Sequence, residues 1–155
     1  MHKINIVAVG NLKEKYWKDA IDEYEKRLKR FADVEIKEVP EFSGSSKSSV
    51  EQVKKIECDE LSKKVTGFVI SMDKSGKQFT SEEFAAFLDS QFSNGAKALT
   101  FVIGGSNGLT EEFVKQSNSA LSFGKITFPH QLMRVVLLEQ IYRAETILNN
   151  IAYHK

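Results

Sequence analysis

The sequence predicts an α/β fold, a mostly parallel sheet held between helices. Three observations carry that reading. Five short strand-like runs recur along the 155 residues, each ending at glycine, proline or an Asp-Lys-Ser-Gly turn. Helical stripes of apolar residues fill the stretches between them, so strands and helices alternate throughout. No repeat interrupts the alternation, and 155 residues suit one domain with a real core.

Lys3–Val9 (KINIVAV) is a β-branched run ending at Gly10, as a buried strand would. Tyr16, Trp17, Ala20, Ile21, Tyr24, Leu28 and Phe31 then recur at helical steps, and Trp17 joins that core stripe. Val34–Val39 alternates apolar and charged residues before Pro40, which predicts a half-exposed strand. Glu41–Ser49 (EFSGSSKSS) is Ser/Gly-rich and predicts a mobile loop. A helix follows over roughly Val50–Val65, then a strand over Phe68–Met72 closed by Asp73-Lys74-Ser75-Gly76. Thr80 and Glu83 have the spacing of a capping box, and Asn94-Gly95 stops the helix they open. Leu99–Ile103 is the fourth strand, Thr110 caps a short helix, and Ala120–Phe123 is the fifth strand. A long helix runs from Pro129 to about Asn149.

Composition excludes several classes. With 41% hydrophobic and 28% charged residues, the chain reads as an ordinary globular protein. The single cysteine, Cys58, cannot form an internal disulfide and reads as a small buried hydrophobe. The apolar start is too short for a signal peptide or membrane span, which predicts a cytoplasmic protein. A net charge of +1 is no mark of a strongly basic nucleic-acid binder. Residues 1–31 nevertheless hold eight basic against five acidic side chains, a solvated helix face or a phosphate patch that a dimer would double. No His/Cys/Asp/Glu cluster has metal-ligand spacing.

Ligands of such sheets sit beyond the carboxyl ends of the strands. FVI→GGSNG, SF→GKITFP and SM→DKSGK all fall there. The glycine loop lacks the Lys-Ser/Thr of a phosphate-binding P-loop and the G-x-G-x-x-G spacing. A ligand loop and a plain tight turn both remain open for it. The last helix is apolar around much of its circumference, which suggests a subunit interface, and its Glu139 and Arg143 can pair at i, i+4. Tyr153-His154-Lys155 combine an aromatic, a group titrating near neutrality and a cation, against the default of a frayed terminus.

FVIGGSNG, ALSFGKITFPHQLMRVVLLEQIYRA and the closing AYHK resemble the RlmH family of small SPOUT-class methyltransferases. The opening INIVAVGNLKEKYWKDAIDEYEKRL is similar too, so the likeness spans essentially one domain of residues 1–155. The resemblance implies a C-terminal trefoil knot over about residues 100–155, a rare exception to unknotted topology. It implies a homodimer packed through the last helix. It implies S-adenosyl-L-methionine (SAM) as cofactor and, as substrate, N3 of a pseudouridine in large-subunit 23S ribosomal RNA of the assembled ribosome. Matching motifs put cofactor contacts on Met72, Gly104, Phe123, Gly124, Lys125, Ile126, Thr127 and Phe128. Loss of the N3 proton calls for a nearby base. The candidates for a catalytic or substrate-positioning role are His154 on the tail and His130 at the start of the last helix, where capping or packing is the alternative. Tyr153 is placed to stack on or hydrogen-bond the base, and Arg134, Arg143 and Lys155 to hold phosphates or complete the site across the dimer. A SPOUT enzyme with another RNA target, or a ribosome-associated module without turnover, are the alternative readings. Neither a metal nor a membrane enters any of them.

Overall fold

The computed structural model describes residues 1–43 and 47–155. The mobile loop expected over Glu41–Ser49 therefore lies partly outside the described residues. The elements run β1 (His2–Val9), α1 (Lys15–Leu28), β2 (Ala32–Val39), α2 (Val50–Ser62), β3 (Phe68–Lys77), α3 (Ser81–Ser93), β4 (Leu99–Ile103), α4 (Glu111–Gln116), β5 (Ser119–Leu121) and α5 (His130–Leu148). The five strands form one sheet in the order β2-β1-β4-β3-β5, with every neighbouring pair parallel. The predicted α/β class is what the chain folds into.

The period-two geometry of a strand divides the core between two faces. Ile4, Ile6 and Ala8 of β1, with Leu99, Phe101 and Ile103 of β4, pack under α1, α3 and α5. Val7, Val9 and Val102 point the other way, to Cys58, Leu61 and Leu109 beneath α2 and α4. Cys58 is buried there, as expected of a small hydrophobe. β4 is buried along its whole length because strands flank it and helices cover it on both faces.

Several boundaries differ from the sequence reading. β3 does not close at Met72. Met72 and Lys77 both pair with Leu121, so Asp73–Gly76 is an excursion inside one strand. Asp73 holds it by accepting from the Ser75 backbone N–H at 3.0 Å. Gly76 is required there, since a Cβ would lie 2.5 Å from the Leu121 nitrogen. β5 stops at Leu121 instead of Phe123, because Ser122 turns the chain: its hydroxyl accepts from the Gly124 N–H at 3.1 Å. α2 ends at Ser62, short of Val65. Thr80 caps α3 by accepting from Glu83 N–H at 3.1 Å, while the complete reciprocal box sits at Ser49 and Gln52, where α2 starts. Tyr16 leaves the predicted stripe and is 63% exposed; Trp17 beside it is half-buried.

α5 packs between α1 and α3, and each of its residues is buried or half-buried. Its broad apolar surface thus has two partners inside the chain. No helix among the described residues is long and apolar enough to cross a membrane.

Candidate functional site

Three loops meet at the carboxyl edge of the sheet. The first follows β4. It is a tight hairpin in which Gly105 and Gly108 bridge antiparallel, with Gly108 N–H donating to Gly105 O at 3.0 Å. Gly104 makes this possible: a Cβ on it would lie 2.7 Å from the Gly108 carbonyl carbon. The close approach that glycine permits is therefore the loop's own folding. Gly105, not Gly104, lines the cleft in front of it.

The second loop is the Asp73–Gly76 excursion of β3, and the third is residues 122–129, between β5 and α5. They are clasped together by Lys74, whose Nζ donates to Thr127 Oγ1 at 2.5 Å. Beneath the clasp is a cavity of about 110 Å³, walled by Met72, Phe123, Gly124, Ile126, Thr127 and Phe128, with Met133 from α5. It adjoins a larger cleft of about 680 Å³ lined by Lys54, Asp73, Lys74, residues 105–109 and His130. Met72, Lys74, Thr127 and Phe128 border both. An apolar slot thus opens onto a larger cleft that offers a carboxylate, two ammonium groups and loop backbone.

Half of the residues singled out in the sequence gather here. Met72, Phe123, Gly124, Ile126, Thr127 and Phe128 do so, and His130 borders the larger cleft. Lys125 is exposed on the loop and lines neither space. Arg134 is turned inward. It is 2% exposed, its Nη1 donates to Glu38 Oε2 at 2.6 Å, and its Nη2 donates to the Gly10 carbonyl at 3.4 Å. Such a guanidinium cannot meet an RNA phosphate in this conformation; it ties α5 to the end of β2.

The C-terminal tail forms a separate cluster. Asn150 takes a left-handed φ of 54° and turns the chain back, and Ile151 N–H then donates to Thr146 O at 2.9 Å. Tyr153 OH donates to Glu139 Oε1 at 3.1 Å, and Arg143 lies over the Tyr153 ring at 4.8 Å. Arg143 also pairs with Glu139 at 2.5 Å, the i, i+4 pair foreseen from spacing. Burial, then the neighbouring Glu139 carboxylate, pushes the Tyr153 phenol above its ordinary value. Arg143 Nη1 lies 3.2 Å from His154 Nδ1, and His154 Nε2 lies 2.6 Å from Glu82 Oε1. Arginine only donates, so Nδ1 is the acceptor and Nε2 carries the proton given to Glu82. Both ring nitrogens of His154 are thus engaged, while Lys155 is exposed. The default of a frayed terminus does not hold. Glu139 lies nine residues beyond His130 on α5, roughly 13 Å along the axis, and none of residues 150–155 lines either space.

Sequence reasoning passed over Lys74, Glu38 and Glu57. Glu57 is 2% exposed beneath the glycine loop. Its Oε2 accepts from Phe42 N–H at 3.1 Å and its Oε1 has no partner. Burial raises its carboxyl above the ordinary range, against the pull of the Phe42 N–H. No spacing in the chain announces these partners, because each meets a residue from a distant element.

Comparison with known proteins adds two findings. The family model described as "Predicted SPOUT methyltransferase" matches residues 2–154. Solved structures share the fold at low identity. One described as a methylase family protein from Haemophilus influenzae Rd KW20 aligns with TM-score 0.60 and 14% identity, over 98% of this chain and 70% of that one. A methyltransferase described from Bordetella pertussis Tohama I aligns with TM-score 0.55 and 9% identity, over 92% and 96%. Lpg2936 from Legionella pneumophila, described as a methyltransferase in complex with the bound cofactor SAM, aligns with TM-score 0.52 and 12% identity. The alignment spans 92% of this chain but 66% of Lpg2936.

Proposed function

We infer the function from one premise: the chain belongs to the SPOUT methyltransferase family. It transfers a methyl group from SAM. The observation that carries this reading is the convergence of the β3 excursion and the loops after β4 and β5 on one apolar slot opening into a larger cleft that holds charged groups. The residues present suit SAM. Met72, Phe123, Ile126 and Phe128 give an adenine apolar walls, with loop backbone within reach of its edge. Asp73, Lys74 and Lys54 offer opposite charges to the amino and carboxyl groups of the methionine part. Bound there, SAM supplies an electrophilic methyl group on a sulfonium. The chain's own share is to hold the two reactants in line and to exclude water.

The finer reading follows the RlmH resemblance. The acceptor is N3 of a pseudouridine in large-subunit ribosomal RNA, met in the assembled ribosome in the cytoplasm. N3 carries a proton that must leave as the methyl arrives. His130 borders the cleft and is the group nearest that task within one chain. His154, Tyr153, Arg143 and Lys155 line neither space in one chain, which supports a homodimer as the working unit, in which one tail serves the other's site. The C-terminal third is threaded as a trefoil knot, in keeping with a segment 122–129 that runs beside Met72 and meets residues 105–109 at one cleft. The basic excess of residues 1–31 gives the dimer its hold on RNA phosphates.

The test is transfer of labelled methyl groups from SAM to ribosomes from cells lacking such an enzyme, with the modified nucleotide mapped afterwards. Label at N3 of a large-subunit pseudouridine is the expected result. Label in transfer RNA overturns the ribosomal target. A calorimetric titration with SAM that releases no heat overturns the enzyme reading.

A further inference from the structure

A large space among the described residues belongs to none of the cofactor residues. It is a cleft of about 780 Å³ at the carboxyl ends of β1 and β2, lined by Asn11, Glu14, Glu38, Glu41 and His130 among others. It shares one lining residue with the cofactor cleft, and that residue is His130. The imidazole stands as the wall between them. Its Cε1 lies 3.4 Å from where a Cβ on Gly10 would sit, and its Nδ1 is buried without a partner. A methyl acceptor must lie next to the donor, and this cleft is the large space next door.

Its chemistry is selective. Three carboxylates face one ammonium, that of Lys13, so the cleft repels phosphate and attracts N–H donors. Glu38 is the built element. Buried Arg134 takes its Oε2 at 2.6 Å and also donates to Gly10 O, so the carboxylate is aimed from behind. Among the described residues Glu38 Oε1 accepts no hydrogen bond. Pseudouridine differs from uridine in one recognisable way at this scale. Its ring is joined to ribose through carbon, so it presents an N1–H where uridine presents a C–H. Both bases carry N3–H.

Building on the pseudouridine reading above, we propose that this cleft is the acceptor-base subsite, and that Glu38, oriented by Arg134, accepts the N1–H that distinguishes pseudouridine from uridine. The N3 edge then lies toward His130 and the donor. Arg134 is a positioning residue and Glu38 the specificity-determining one. Against uridine the charge-assisted hydrogen bond is lost and Glu38 Oε1 is left desolvated without a donor, which is where discrimination arises.

The experiment compares initial methylation rates on two ribosome preparations that both lack the methyl group, one carrying pseudouridine at the target and one carrying uridine. Wild type favours the pseudouridine ribosome by on the order of tenfold or more. In Glu38→Gln the amide oxygen is kept by Arg134 and the NH₂ is left for the base, donor against donor, so the ratio falls to about one. Calorimetric SAM affinity, measured alongside, reports whether the variant is folded. Should it not be, Glu38→Asp keeps the pair and withdraws the acceptor by one methylene, and its ratio drops several-fold. A wild type active on both ribosomes with no preference, or a folded Glu38 variant with the wild-type ratio, overturns the subsite alone. A wild type inactive on both overturns the functional reading, and the subsite with it.

Discussion

His154 and Glu82 stand 72 residues apart in sequence and 2.6 Å apart in space, joining the C-terminal tail to the first turn of α3. The hydrogen bond from His154 is the main reason the Glu82 carboxyl titrates below its ordinary value. A carboxyl lowered by folding contributes stability above its unfolded value and loses it as pH falls through the folded one. The tether is therefore intact at neutral pH and is lost below the usual carboxylate range. In Glu82→Ala the amide protons of residues 151–155 exchange faster at neutral pH, while Tm barely moves because the Glu82 side chain is largely exposed. Unchanged exchange would show that Tyr153 and Arg143 hold the tail without it.

The Arg134–Glu38 pair predicts an asymmetry. Arg134 is 2% exposed, whereas the Glu38 side chain is 40% exposed. Glu38→Ala strands a buried cation and costs about 3–5 kcal/mol. Arg134→Met leaves a carboxylate that water can reach and fills the space with an apolar chain, at about 1–2 kcal/mol. Urea denaturation of both variants decides. Equal losses would contradict the account.

Glu57 sets a pH dependence of opposite sign. Its carboxyl is raised by burial, so the fold favours its protonated form. That contribution is present below the unfolded value and is lost as pH rises through the folded one. Glu57→Gln does not titrate. Its Tm relative to wild type therefore climbs as pH rises out of the ordinary carboxylate range, and a flat difference would exclude Glu57 as the source.

Gly104 tests the loop. A methyl group there would lie 2.7 Å from the Gly108 backbone, so Gly104→Ala must open the hairpin. We expect a loss of about 1–3 kcal/mol in stability and SAM affinity weaker by about tenfold or more in calorimetry. Wild-type affinity would mean that the cofactor does not need the hairpin closed.

Much of the architecture was legible in the chain. β4 spans Leu99–Ile103, the predicted limits, because a central strand is an unbroken apolar run with glycine at its end. The glycine loop and the FGKITF loop were each found by position beyond a strand, and His130 as a candidate base at the start of the last helix. Less legible were the ends of β3 and β5. A turn-like Asp-Lys-Ser-Gly folds inside a strand only because Leu121 of another strand accepts both of its flanks.

Local sequence determined which segments become strands and helices, since periodicity and caps act over a few residues. It also determined where ligand loops must lie in a parallel sheet. Tertiary structure alone decided the partners. Glu38 is an alternating charge on a half-exposed strand until α5 delivers Arg134 to it, and His154 is a tail residue until α3 delivers Glu82. Those meetings depend on how distant elements pack, where burial turns an ordinary charge into one that must be paired.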